Sequence, residues 1–282
     1  MFRRRRPPAP PAPTAARRQD DWRSYDAVAD LYERTRAPIH EAPARDLVAR
    51  IGPPTGGRFL DVGTGTGVAG EAATVAVGPD GLVVGIDPSV EMLRRARRRG
   101  VTAVAGEAID LPFADDTFDA VCASFVIFLF KRYETGLFDM VRVLRPGGRL
   151  GVTTWGDRTD EFATVWRETA ESFTGPQLLR DARARAAPWE ERFSRPDALE
   201  QALRDAGLRP VDVERRQYRH TVAVEDYLQG RETSAIGRYL RSTLGESLWN
   251  RFRERTREEF RRRFPDPLGD TSDVLMGVGT KG

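Results

Sequence analysis

A run of glycines and a few carboxylates carry most of the chemistry legible in this chain. In Phe59-Leu60-Asp61-Val62-Gly63-Thr64-Gly65-Thr66-Gly67 an apolar lead-in reaches an acid, and three glycines then alternate with threonines. Glycines at this spacing accept positive φ and leave no Cβ in the path of a ligand approaching the main chain. A helix opening after such a turn offers unpaired N–H groups to a carboxylate, ribose or phosphate. Asp87 follows at about the separation of a ribose-binding acid, and a carboxylate accepts two hydrogen bonds from a vicinal diol. The run by itself implies a nucleotide-like ligand near Gly65.

Two ligands fit that run. Gly65-Thr66-Gly67-Val68-Ala69-Gly70 matches the GxGxxG fingerprint of dinucleotide binding, which with Asp87 would imply an NAD-type dehydrogenase. The pattern Asp-Val-Gly-Thr-Gly-Thr-Gly over 61–67 resembles motif I of the class I S-adenosylmethionine (SAM)-dependent methyltransferases. Both families place an acid at the end of the second strand, so the later segments discriminate. Val83 through Leu93 is an apolar strand ending in Asp87-Pro88, followed by helical spacing. Gly106-Glu107-Ala108-Ile109-Asp110-Leu111-Pro112-Phe113 resembles the segment of that family that flanks adenine. Phe118-Asp119-Ala120-Val121, continuing to Arg145-Pro146-Gly147-Gly148, resembles its fourth strand, fourth helix and turn. The resemblance covers roughly residues 25 to 155 and is nearest the ubiquinone/menaquinone-biosynthesis branch.

That resemblance implies SAM as cofactor and gives each residue an expected role. Gly63, Gly65 and Gly67 receive the methionine portion, and Asp61 orients the loop or meets the ammonium through water. Asp87 takes the ribose, with Pro88 beside it. Met92 packs on the adenine, Glu107 accepts from its exocyclic amine and the Ala108 N–H meets the ring. Glu107 departs from the family's usual aspartate. Tyr32 and Arg36, on a helix expected across the site, face the methionine end, and Ser124 lies on the same sheet edge. No metal site is expected. Catalytic residues stay unassigned: relatives often carry a histidine after the fourth strand, where this chain has Phe128 and Leu129. Of His40 and His220, the only histidines, His40 is the better candidate base, with Tyr25 and Asp157 weaker. No Asn-Pro-Pro-Tyr or Asp-Pro-Pro-Tyr motif follows the fourth strand, which disfavours methylation of nucleobases and glutamine. A small, apolar acceptor is expected; rivals are a SAM-binding regulatory or scaffold protein without turnover, and an RNA-modifying enzyme.

Positioning these residues needs alternating strands and helices. Strands are expected near 58–62, 82–86, 101–104, 119–124 and 148–154, with helices at 25–32 and 43–51 before the first. Alternation of this kind implies a parallel sheet covered on both faces, with ligands at the carboxyl ends of its strands. A helix over 196–206, a strand near 209–219 and a closing strand at 274–279 follow. The fold class expected is α/β: a Rossmann-like, seven-stranded mixed sheet whose last strand runs antiparallel, with a helical cap. Residues 20–282 form the domain, with cap segments at about 160–193 and 225–264. Phe162, Val165, Trp166, Thr169 and Phe173 share one face of the first segment, and the second carries Leu248, Trp249, Phe252, Phe260 and Phe264; these side chains are as compatible with a wall of the substrate pocket as with plain packing.

With 282 residues, 40% of them hydrophobic, the chain can bury one substantial core. Charged residues reach 31%, yet the net charge is only +3, and the basic excess is nearly all arginine because Lys131 and Lys281 are the only lysines. Acids are interleaved throughout, so nucleic acid is not the expected partner. Residues 1–19 read as a disordered Arg/Pro-rich arm carrying Arg3 to Arg6. No signal peptide is evident in that arm. The longest apolar run, Phe125 to Phe130, is far short of the roughly 20 residues needed to span a bilayer. One cysteine, Cys122, precludes an internal disulfide and fits a reducing, cytoplasmic setting. The oligomeric state is not legible.

Overall fold

The computed structural model describes residues 24–158 and 160–282; the Arg/Pro-rich arm expected at 1–19 lies outside them. A short 3-10 turn at Asp26–Val28 leads into α1 (Ala29–Thr35) and α2 (Ala37–Ile51). The chain then alternates: β1 (Arg58–Val62), α3 (Val68–Val77), β2 (Leu82–Asp87), α4 (Val90–Arg98), β3 (Thr102–Ala105), β4 (Phe118–Ser124), α5 (Tyr133–Val143) and β5 (Leu144–Trp155). Beyond it come α6 (Glu161–Ala186), α7 (Glu190–Phe193), α8 (Pro196–Asp205), β6 (Leu208–Val222), α9 (Val224–Thr233), α10 (Ala235–Arg263) and β7 (Leu268–Lys281).

The strands form a seven-stranded sheet in the order β3-β2-β1-β4-β5-β7-β6. β1 pairs in parallel with both β2 and β4, while β7 runs antiparallel between β5 and β6. The fold is therefore the expected Rossmann-like mixed sheet, and its order reverses at β1 and β4, where a crevice opens at the strand ends.

Period-two alternation decides which face each strand residue serves. Leu60, Val62, Val121 and Ala123 enter a core shared with Leu137 and Met140 of α5 and Leu203 of α8. Phe59, Ala120 and Cys122 point the other way, against Leu47 and Ile51 of α2 and Ala73 of α3. A third core lies away from the sheet, where α6, α9 and α10 pack Trp166, Leu179, Trp249, Phe252 and Phe260 together.

Several boundaries differ from the sequence expectation for local reasons. β5 begins at Leu144 because that residue pairs with Phe118 before the register slips, so the Arg-Pro-Gly-Gly turn sits inside the strand as a bulge. β6 and β7 continue their pairing out to Val222 and Leu268, lengthening both strands. The cap segments are broken where Gly175 and Gly245 take φ of 71° and extended ψ. Among the described residues no helix is long and apolar enough to cross a membrane.

Candidate functional site

The glycine run forms the turn between β1 and α3, and its glycines serve different ends. Gly67 takes φ 88°, and a Cβ there would stand 2.7 Å from Ala96 Cα, so this position is closed by α4 packing against the loop. Gly65 takes φ 53° but faces open space, with the nearest atom to a notional Cβ being Gly63 O at 4.0 Å. The main chain at Gly65 is the one a ligand can approach.

Asp61 holds that loop from beneath. It is 1% exposed, on the sheet face covered by α2 and α3, and accepts from Thr64 Oγ1 at 2.7 Å and Cys122 Sγ at 3.1 Å. Burial pushes its pKa upward against those bonds. Its bonds are thus internal to the loop and its floor. Cys122, fully buried beside this carboxylate, has its thiol pushed well above the ordinary value by desolvation and then by the Asp61 charge. Native protein is accordingly expected to leave Cys122 unmodified by a thiol reagent at pH 8 and to react fully once unfolded in urea; rapid labelling of the native chain would contradict this.

Asp87 ends β2 beside the loop, accepting from the Gly65 N–H at 3.0 Å and the Ser89 N–H at 2.8 Å. Desolvation raises its pKa to about 6 in spite of both bonds. Ser89 caps α4 by accepting from the Met92 N–H at 3.2 Å. Asp26, which sequence reasoning passed over, accepts from Ser89 Oγ at 2.6 Å and from the Glu91 N–H at 3.0 Å, docking the N-terminal turn onto this corner. Arg95 strengthens that docking through ion pairs with Asp30 and Glu33 of α1. Pro88 is exposed and Met92 is buried at 2%. The Gly106 N–H donates to Asp87 O at 3.2 Å, and Glu107 follows it, exposed, with half-buried Ala108 next. Ser124 shares a hydroxyl contact of 3.0 Å with Thr153, and Thr153 also accepts from the Phe125 N–H.

A cavity of about 600 Å³ adjoins this corner, between the ends of β4, β5 and β7 and the helices α1, α6, α9 and α10. Tyr32 lines it with Tyr25, Arg36, His40, Phe125 and Trp155, whereas the glycine loop, Asp87, Met92 and Glu107 do not. The residues expected from sequence therefore divide into a loop corner and a neighbouring chamber. Tyr32 stands at the junction, its phenol pushed upward by burial and also by the charge of Asp87. Its hydroxyl lies 3.3 Å from His40 Nδ1. The imidazole stacks on Phe125 at 4.7 Å and 22°, and Phe125 stacks on Trp155 at 4.2 Å and 29°. Burial holds the His40 pKa well below its ordinary value, so the ring is neutral, and its Nε2 has no partner. Asp157 instead pairs with Arg215 at 2.7 Å near the surface.

The aromatic stripes of the cap do not furnish the chamber wall. Trp166, Phe173, Trp249 and Phe252 pack on one another, because a helix pair needs its apolar faces for its own core. The rings that reach the chamber come from the N-terminal turn, α1, α2, α9 and the segments at the strand ends, and arginines accompany them, among them Arg36, Arg167, Arg183 and Arg231. A compositional arginine excess gives no signal that several converge here.

Residues 60–152 match the family described as a methyltransferase domain. Over 150 residues the chain is 40% identical to a demethylmenaquinone methyltransferase of Mycobacterium sp. (strain KMS), an overlap of 51% of this chain and 64% of that relative. The chain thus spans just under two thirds of the length of the relative it matches. A SAM-dependent methyltransferase structure from Thermotoga maritima superposes with a TM-score of 0.54 at 18% identity, covering 92% of this chain and 98% of that one. A Haemonchus contortus phosphoethanolamine N-methyltransferase, solved with phosphomonomethylethanolamine and S-adenosylhomocysteine, gives a TM-score of 0.57 at 20% identity, covering 96% and 61% respectively. At these identities the structural likeness speaks for the fold.

Proposed function

We propose that the protein, whose residues 60–152 match a methyltransferase-domain family, transfers a methyl group from SAM to a small molecule held in the chamber beside the loop corner. The observation that carries this reading is the open main chain at Gly65 next to a half-buried carboxylate, Asp87, that keeps acceptor capacity beyond its two backbone bonds. A ribose diol fits that carboxylate, and a methionine portion fits the loop that Asp61 holds in place. SAM supplies a methyl carbon on a positively charged sulfur, which leaves as S-adenosylhomocysteine while the acceptor atom forms the new bond to carbon. The chain's part is to align donor and acceptor and to exclude water, which alone can supply much of the rate. Tyr32, which feels Asp87, and the His40–Phe125–Trp155 stack that lines the chamber support that alignment. A quinone-type acceptor is suggested by the name of the mycobacterial relative.

Calorimetric titration tests this directly. SAM and S-adenosylhomocysteine are expected to bind at micromolar concentrations and NADH not at all. A well-folded protein that ignores both SAM species would overturn the proposal. Binding without S-adenosylhomocysteine formation across a broad acceptor panel would favour a regulatory role.

A further inference from the structure

The chamber beside the loop contains a pair of cations that no carboxylate among the described residues contacts directly. Arg36 ends α1, and Arg231 lies in α9 against it: a Cβ on Gly230 would stand 3.1 Å from Arg36 Cδ. Each guanidinium lies over a tryptophan, Arg36 at 5.6 Å from the Trp155 ring and Arg231 at 4.8 Å from the Trp166 ring. Among the described residues neither has an ion pair with a carboxylate, and Arg231 Nε is shut off from solvent without a hydrogen-bond partner. The acids around the chamber make their direct contacts elsewhere, although Asp270 stays within electrostatic reach of Arg36 and Asp160 within that of Arg231. Glu171 pairs with Arg167 at 3.3 Å, Asp270 with His220 at 3.3 Å, Asp273 with Arg215 at 3.4 Å, and Asp160 caps α6. Glu190, which feels Arg231, Arg183 and Arg36, stands outside ion-pair distance of all three, and burial pushes its pKa upward. The cost appears in Arg36, whose pKa is lowered by burial and by the charge of Arg231. Burying like charges together without an anion in direct contact is unfavourable, so the arrangement is suited to one supplied from outside.

We propose that the methyl acceptor carries a carboxylate, seated between Arg231 and Arg36 with its apolar or aromatic body against Phe125 and Trp155. The inference rests on the proposed methyl transfer and, for the same chamber, replaces the quinone suggested by the relative's name with a carboxylate-bearing acceptor. Guanidinium forks match a carboxylate in a plane and bind it far better than its neutral amide. The Tyr227 phenol, within the electrostatic reach of both arginines, adds a donor at the same place. With the donor's methionine carboxylate on Arg36, Arg231 is the cation that holds the acceptor carboxylate, and among the described residues Arg231 has no carboxylate in ion-pair contact.

The test uses the full chain saturated with S-adenosylhomocysteine and titrated with matched probes: benzoate, 3-phenylpropionate and indole-3-acetate against their carboxamides. At least one acid is expected to bind about tenfold or more tighter than its amide, the scale of one charge-assisted hydrogen bond. That preference should shrink with added salt and disappear in Arg231→Gln. No acid exceeding its amide across the panel would overturn the proposal, as would a preference unchanged in folded Arg231→Gln. Should that variant fail to fold, the acid-to-amide ratio of the native chain and its salt dependence decide. The prior titration with S-adenosylhomocysteine keeps the two ideas separable: failure to bind it defeats methyl transfer, whereas acid preference without it leaves an anion seat in a pocket of another purpose.

Discussion

Asp87→Ala is expected to weaken binding of SAM and S-adenosylhomocysteine by roughly a hundredfold or more, while the protein stays folded. The carboxylate can accept from both hydroxyls of a ribose, and hydrogen bonds to a charged partner contribute about 1.5–3 kcal/mol each. The same group predicts a pH dependence. Its pKa in the folded chain is raised to about 6, and the ionised form is the one that accepts two hydroxyls. Affinity should therefore be level from about one pH unit above that value and fall toward tenfold per pH unit below it, whereas Asp87→Ala should be flat over that range. The stability effect has the opposite sense. An acid whose folded pKa exceeds its unfolded value near 3.9 is penalised when ionised, so this contribution to stability improves as pH falls from about 6 to 4. Calorimetry between pH 5 and 8 measures the first effect; equal affinity of native and Asp87→Ala proteins at pH 7.5 would remove Asp87 from the ribose.

The largest loss of stability is expected from Phe252→Ala in α10. Phe252 is 2% exposed and meets Trp166 at 5.7 Å, Phe173 at 5.9 Å and Trp249 at 5.2 Å between ring centroids. Removing a ring enclosed by three others leaves a cavity that its stiff neighbours cannot fill, at a cost of about 3–5 kcal/mol. Urea denaturation gives the value, and a loss below about 1 kcal/mol would mean that α6 and α10 can close over the gap. The glycine loop rests on a different core, so S-adenosylhomocysteine affinity is expected to change much less than stability. Joint collapse of both would show that the cap and the sheet fold as one cooperative unit.

The alternating pattern that places Leu60 and Val62 on one sheet face and Phe59 on the other is a local property of the chain. So are the glycines that break β1 into a turn and the acid that ends β2. Strand alternation, the loop and the position of Asp87 were therefore legible, because each depends on neighbours within a few residues. Helical spacing likewise identified the apolar stripe of α6.

Periodicity reports which residues share a face but not what that face meets. The stripes were as compatible with a substrate pocket as with a private core, and only packing between α6 and α10 made them a core. Asp26 belongs to the loop corner through contacts with Ser89 and Glu91, far along the chain. Arg36 and Arg231 are unremarkable members of an arginine-rich sequence until α1 and α9 bring them together over Trp155 and Trp166. Whether an arginine is a solvated surface charge or a desolvated one awaiting an anion depends on burial and on the reach of carboxylates. Those are distances across the fold, and the tertiary structure alone sets them.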